Sequence, residues 1–262
     1  MSHAPRRLSF DRAVAYYDQT RSMPEPAQRR TTELLARELR PKGRTLEVGV
    51  GTGRIALPLH GAGVSLVGLD VSPAMMGRLV EKSGGRASFP LVRGDALRLP
   101  FPDQTFGAAY AAHVLHLIPD WERALAEMAR VVIPGGTVLI DVGTEPGRRW
   151  REAIHRRFEL ETGRAGLHAG VRGPEQVDRA MGDLGASRRM LPPVVVRVRD
   201  QPERTIAELE AGLYSWTWDL EPEVLRDAAQ ATRRWAAERF EPLDRPRWRG
   251  WIIRWRAFDL PT

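Results

Sequence analysis

Three glycines at alternate positions, Gly49, Gly51 and Gly53, follow directly on the short apolar run Leu46-Glu47-Val48. Glycine at every second position suits neither a strand nor a helix. It suits a turn whose backbone takes positive φ and approaches another group closely. Residues 45–48 read as a strand and residues 55–60 as a helix, so the segment is a strand, a glycine-rich turn and a helix in that order. In open α/β sheets such a turn lies at the carboxyl ends of the strands, where ligands bind. This commits the chain to a parallel sheet covered by helices, if the alternation continues.

It does continue. Residues 64–69 are apolar and β-branched, a buried strand ending at Asp70. Ser72 and Pro73 then read as N-cap and first helical residue. Residues 88–93 and 106–112 read as the third and fourth strands. Asp120 opens a helix in which Leu125, Met128, Ala129 and Val132 recur at i, i+3, i+4 and i+7. Pro134-Gly135-Gly136 ends it, and residues 137–142 form a fifth strand. Ahead of the first strand, Leu34, Leu35 and Leu39 give residues 27–40 a helical apolar stripe. Strands alternating with helices imply a parallel sheet with helices on both faces. Beyond Gly143 the rhythm changes: 148–161, 174–184, 202–213 and 222–240 read as helices, and 194–199 and 248–258 as strands. The expected division is an N-terminal arm and helix over 1–43, an α/β core over 44–143, and sheet completion with a helical insertion over 144–262, all in one domain.

Carboxylates mark the same sheet edge. Glu47 precedes the turn, Asp70 stands 17 residues beyond Gly53 at the end of the second strand, and Asp95 follows the third strand in Gly94-Asp95-Ala96. A carboxylate in Asp70's place can accept both ribose hydroxyls of a nucleotide or nucleoside. A dinucleotide fold with G-x-G-x-x-G competes with this reading. Gly49 and Gly51 fit it, but Arg54 stands where the third glycine belongs, and Glu47 suits a cation better than a pyrophosphate.

Residues 47–53 (EVGVGTG), 69–76 (LDVSPAMM), 94–96 followed by 99–103 (LPFPD), and 129–136 (ARVVIPGG) together resemble, in order, the motifs of class I S-adenosylmethionine (SAM)-dependent methyltransferases. The likeness is nearest to the small-molecule branch that includes quinone-biosynthesis enzymes. It implies a Rossmann-like, mostly parallel sheet of seven strands with the last antiparallel, and SAM as cofactor. It implies that Gly49, Gly51 and Gly53 line the methionine end, that Asp70 and Val71 meet the ribose, and that Asp95 and Ala96 meet the adenine. Tyr17 and Arg21, within residues 16–21 (YYDQTR), resemble the arm that closes over the cofactor. The family commonly has an acid where this chain has Gly107.

SAM is already an electrophile, so orientation accounts for much of the work, ~7–11 kcal/mol of barrier. A base is needed only if the acceptor must lose a proton. His113 and His116 follow the fourth strand, where the methyl group is expected, and either suits a general base at neutral pH. His113 equally suits packing against the cofactor. Tyr214, Trp216 and Trp218 suit the core of a cap or the wall of an acceptor pocket. The glycine- and arginine-rich residues 163–173, with His168, suit a lid or a surface loop.

Composition limits partners. With no cysteine, disulfides, thiolate metal ligands and a cysteine nucleophile are excluded, and no metal site is expected. The net charge is +7, but 38 of the 40 basic residues are arginine and are spread along the chain. A solvated arginine surface fits better than a nucleic-acid face. Trp251, Ile253 and Trp255 alternate, as a half-buried strand requires. The fourth strand is followed by His113-Val114-Leu115-His116 rather than the Asn/Asp-Pro-Pro-Tyr/Phe of enzymes that methylate base amines. The expectation is a cytoplasmic methyltransferase with a small-molecule acceptor, no membrane span and no nucleic-acid partner. A SAM-binding protein without turnover, or an RNA methyltransferase, is the alternative.

Overall fold

Short runs rich in valine, leucine and alanine become buried strands. Longer runs with one apolar face become helices laid on them. The computed structural model describes residues 11, 14, 16–18, 23–141, 150–163 and 170–262. These fall into two compact units, one drawn from Met1–Gly143, Ala169–Val194 and Ile253–Thr262, the other from Thr144–His168 and Val195–Ile252.

The first unit contains helices α1 (Glu25–Leu39), α2 (Ala56–Gly61), α3 (Pro73–Lys82), α4 (Trp121–Val131) and α6 (Pro174–Asp183). Its strands are β1 (Thr45–Val48), β2 (Leu66–Asp70), β3 (Leu91–Arg93), β4 (Phe106–Ala112), β5 (Val132–Asp141), β6 (Ser187–Met190) and β9 (Arg256–Asp259). They form one seven-stranded sheet in the order β3-β2-β1-β4-β5-β9-β6. Neighbours from β3 to β5 are parallel, and β9 runs antiparallel between β5 and β6. This is the mostly parallel sheet of seven strands, with the last in sequence antiparallel, that the motifs implied. Every residue of β1 is buried, as is nearly all of β4, which only a strand covered on both faces requires. Helix α4 turns Trp121, Ala124, Leu125, Met128 and Val131 inward onto a core with Leu46, Val48, Leu69, Ala109, Val138, Ile140 and Phe258.

Two strands are placed differently from the sequence expectation. Residues 194–199 lie in β7 (Val194–Asp200), which pairs with β8 (Arg247–Ile253) in a separate two-stranded sheet. The run 248–258 is not one strand but β8 and β9, interrupted at Arg254 and Trp255. The sheet is completed instead by β6, whose four residues are all exposed. An edge strand without a buried face carries no period-2 pattern to read. At α4, Asp120 occupies the N-cap position but makes no capping bond with its side chain. The cap expected at Ser72 is present: its hydroxyl accepts from the Met75 N–H at 3.1 Å.

The second unit packs α5 (Trp150–Glu161), α7 (Pro202–Glu210) and α8 (Pro222–Phe240) against one another. Its core gathers Ile154, Phe158, Ile206, Leu209, Tyr214 and Leu225. Among the described residues no helix is long and apolar enough to cross a membrane.

Candidate active site

The five parallel strands, in spatial order, deliver a polar side chain or turn to one carboxyl edge. β3 leads to Asp95, β2 ends at Asp70, β1 leads from Glu47 into the glycine turn, β4 leads to His113, and β5 ends at Asp141.

The turn is held from below. The Gly49 and Val50 N–H groups both donate to the Leu69 carbonyl, at 2.8 and 3.0 Å, tying β1's exit to β2. Gly49 has φ +77°, and a Cβ there would lie 2.3 Å from Val114 Cγ2. Backbone conformation and the close approach of the segment after β4 both require glycine. The Asp70 carboxylate then fastens the two ends of the crevice. One oxygen accepts from the Gly51 N–H at 2.8 Å and the other from the Ser72 N–H at 2.9 Å. Burial raises the Asp70 pKa, and these N–H bonds oppose the rise. A carboxylate has about four acceptor positions, and the Val71 N–H bears on this one as well.

Val71 beside it is exposed at 54%. Asp95 accepts the Leu97 N–H at 3.0 Å, a local turn that fixes its carboxyl, while Ala96 is buried against the core. Arg130 steadies the loop that follows. Its guanidinium donates to the carbonyls of Leu99 and Phe101 and pairs with Glu127 and Asp103.

Glu47 is 2% exposed. It sits beneath the turn and accepts the Tyr110 hydroxyl at 2.7 Å. Burial pushes its carboxyl up to about 8, and burial with Glu47's charge pushes the Tyr110 hydroxyl up as well. The unfolded carboxyl ionises near 4.5, so folding takes up a proton between about 4.5 and 8. Stability is greatest below that window and falls as pH rises through it, by at most about 1.4 kcal/mol per pH unit. Glu47→Gln should remove that slope. Urea denaturation of both proteins at the two ends of the window is the check, and parallel pH dependences would show that Glu47 is ionised in the fold.

His113 has φ +55°, uncommon for a residue with a Cβ. Its N–H donates to the Asp141 carbonyl at 3.0 Å, and its Nε2 lies 3.2 Å from the Asp141 carboxylate. Asp141 is 4% exposed. Neither it nor Tyr110 was singled out from the sequence. Asp141 continues the series of acids at strand ends, and that was the available signal. His116 lies in the 3-10 turn Leu115–Leu117, and its carbonyl accepts the Gly170 N–H at 3.1 Å.

The arm is placed in part. Tyr17 is half-buried, and Asp18 accepts the Thr52 hydroxyl of the glycine turn at 2.6 Å and pairs with Lys82 at 3.1 Å. Arg21 and the expected lid residues 164–169, His168 included, lie outside the described residues. Tyr214 and Trp218 are buried in the second unit, where the Tyr214 hydroxyl donates to Glu208 and accepts from Arg151. Among the described residues no cluster of three or more histidines, aspartates or glutamates could hold a metal ion.

Residues 46–140 match the family model for the methyltransferase domain. The similarity to a methyltransferase domain thus covers 95 of the chain's 262 residues. The match begins inside β1 and ends one residue short of Asp141, so it takes in Glu47, the glycine turn, Asp70, Asp95 and both histidines. Phosphatidylethanolamine N-methyltransferase of Cereibacter sphaeroides is 44% identical over 101 residues, covering 37% of this chain and 49% of that one. Demethylmenaquinone methyltransferase of Thermus thermophilus is 38% identical over 115 residues, covering 43% and 52%. The chain thus spans about half the length of these relatives. A phosphoethanolamine N-methyltransferase of Haemonchus contortus, solved with phosphomonomethylethanolamine and S-adenosylhomocysteine, superposes with a TM-score of 0.55 at 16% identity, covering 96% of this chain and 58% of that one. At that identity the likeness is one of fold.

Proposed function

We propose that this methyltransferase domain makes the chain a cytoplasmic SAM-dependent enzyme that methylates a small-molecule acceptor. The observation that carries the reading is the row of strand ends. Acids at β3, β2 and β1, a glycine turn between them, and a histidine at β4 lie along one edge of a parallel sheet, within a matched methyltransferase domain. In this reading Gly49, Gly51 and Gly53 border the methionine part, and Asp70 and Val71 take the ribose. Asp95 and Ala96 border the adenine, and Tyr17 and Arg21 belong to the covering arm. Glu47 acts from beneath, as a buried acid under the turn. The bound sulfonium supplies an activated methyl group. The protein's task is to orient the acceptor in line with it and exclude water. His113 is the better placed of the two histidines to take a proton, because Asp141 fixes its ring.

Calorimetry tests this directly. SAM and S-adenosylhomocysteine should bind, and NAD should not, since Arg54 stands where a dinucleotide turn needs glycine. Tight NAD binding without SAM binding would overturn the assignment. SAM binding with no methyl transfer across a broad metabolite panel would leave a SAM-binding protein in place of an enzyme.

A further inference from the structure

The second unit carries a face on which arginine and apolar side chains stand together in the open. Strand β7 alternates: Val194 and Val196 are buried, while Val195, Arg197 and Arg199 are exposed. Strand β8, its partner in the two-stranded sheet, exposes Trp248 at 65%, the most exposed large apolar side chain among the described residues. The Arg199 guanidinium lies 5.7 Å over the centre of the Trp248 ring, so these two rows of side chains share one face. Successive residues of a strand point to opposite faces, which sets Gly250 and half-buried Ile252 on the same side as Trp248. The six outward positions are thus Val195, Arg197, Arg199, Trp248, Gly250 and Ile252, with no acid among them.

The one carboxylate that the two strands carry is turned the other way. Asp200 is half-buried, and it accepts from Arg249 Nε at 3.1 Å and pairs with Arg151 at 3.6 Å. Arg247 donates to the Phe240 carbonyl at 2.8 Å. The arginines of the inner row are therefore met within the unit, whereas no acid of the sheet meets Arg197 and Arg199. An exposed apolar surface rimmed by such groups marks an interaction site.

We propose that this outer face docks the protein on the surface of an anionic lipid bilayer. Charge complementarity names the occupant. Guanidinium groups take anionic headgroups by charge-assisted, often bidentate hydrogen bonds. An indole settles at headgroup level, where its apolar body and its N–H are both accommodated. Val195 and Ile252 beside it suit the acyl boundary. A nucleic acid would also attract the arginines, but single strands are held by open aromatic faces on which bases stack. Here Arg199 covers one face of the indole, and Val195 and Ile252 offer only aliphatic groups. The docking is peripheral and needs no spanning helix. One aromatic anchor and two charges make it weak, reversible and sensitive to salt.

The test sediments the full chain with vesicles of phosphatidylcholine alone and of phosphatidylcholine mixed equally with phosphatidylglycerol. The mixed vesicles should bind the protein, the neutral ones should not, and salt should release it. Trp248→Ala should weaken binding about tenfold. Arg197→Glu should weaken it at least about fivefold. Arg226→Glu makes the same charge change at an exposed site on α8 and should alter binding by less than about twofold. Brominated phosphatidylcholine in the mixed vesicles should quench a component of the tryptophan fluorescence that Trp248→Phe lacks. Both Trp248 and Arg197 are exposed, so their variants should keep the urea midpoint of the unaltered protein, and a loss of binding then reads the surface rather than the fold. No binding to the mixed vesicles, equal binding to the neutral ones, or equal losses in Arg197→Glu and Arg226→Glu would overturn the proposal. Polyuridylate bound through Trp248 more tightly than the vesicles would overturn it too, and would give the face to nucleic acid.

Discussion

Gly107→Ala should destabilise the fold by about 3 kcal/mol or more, far beyond an ordinary surface change. A Cβ at Gly107 would lie 1.7 Å from the Lys42 carbonyl oxygen and 2.8 Å from its carbon. The obstacle is main chain, not the end of a side chain that can swing away. It is fixed on both sides, by the 3-10 turn Arg40–Lys42 that ends α1 and by the Gly107 N–H, which donates to the Arg44 carbonyl at 2.9 Å. The connection from α1 into β1 crosses β4 at this residue, which accounts for the glycine where related motifs have an acid. Gly77 is the control. It lies within α3 with nothing within 4 Å of an added Cβ, so Gly77→Ala should be neutral or stabilise by roughly 0.5–1 kcal/mol. Urea denaturation measures both, as shifts in midpoint at constant m. Similar midpoints for the two variants would show that the α1–β1 connection yields freely.

Asp70→Ala should weaken SAM binding by about 10–100-fold. Each charge-assisted bond to a ribose hydroxyl is worth roughly 1.5–3 kcal/mol, and 1.4 kcal/mol is tenfold. The structure adds a second consequence. The carboxylate also closes the Gly51 and Ser72 N–H groups, so the variant leaves two donors unpaired at the turn. A stability loss of about 1–3 kcal/mol follows in the absence of ligand. Asp70→Asn separates the effects, since it keeps the shape and one acceptor oxygen. Burial raises the Asp70 pKa, so affinity in the unaltered protein should fall as pH drops, beginning above the ordinary carboxylate value of 3.8. That limb should be missing from Asp70→Ala. Calorimetry across pH is the measurement. Full SAM affinity in a folded Asp70→Ala would take Asp70 out of the site.

Much of this was readable because local and tertiary signals agree in the core. Strands β1, β2, β4 and β5 are buried runs closed by turn residues, and a strand covered on both faces announces itself by composition alone. The glycine turn, Asp70 and Asp95 were legible for the same reason: each is tied to the end of a strand by sequence position. Legibility stopped where the determinant is a partner far along the chain. β6 shows no apolar face, because it sits at the sheet's edge and is recruited by pairing with β9. Residues 248–258 look continuous, since Trp, Ile and Phe recur along them with no proline to interrupt, yet Arg254 and Trp255 divide two strands of different sheets. Asp141 could be seen as the end of β5, but not as the group behind His113, because that depends on the register of β4 against β5. Glu47's partner Tyr110 is hidden in the same way: an aromatic inside an apolar strand reads as core, and only the pairing of Glu47 with Tyr110 across β1 and β4 reveals the hydrogen bond between them.

The position of β9 bears on how the protein is made. It lies between β5 and β6 in the sheet, yet it is translated after both, and Thr137 in β5 is bonded across 122 residues to Asp259. As the chain leaves the ribosome, β1 to β5 can assemble with their helices while β5 still presents a bare row of main-chain donors and acceptors. An open edge of that kind invites pairing with another nascent chain. The whole second unit must emerge before β9 arrives to cap it, and contacts of such long range form late and slowly. The vulnerable interval in biogenesis is therefore the synthesis of residues 144–255.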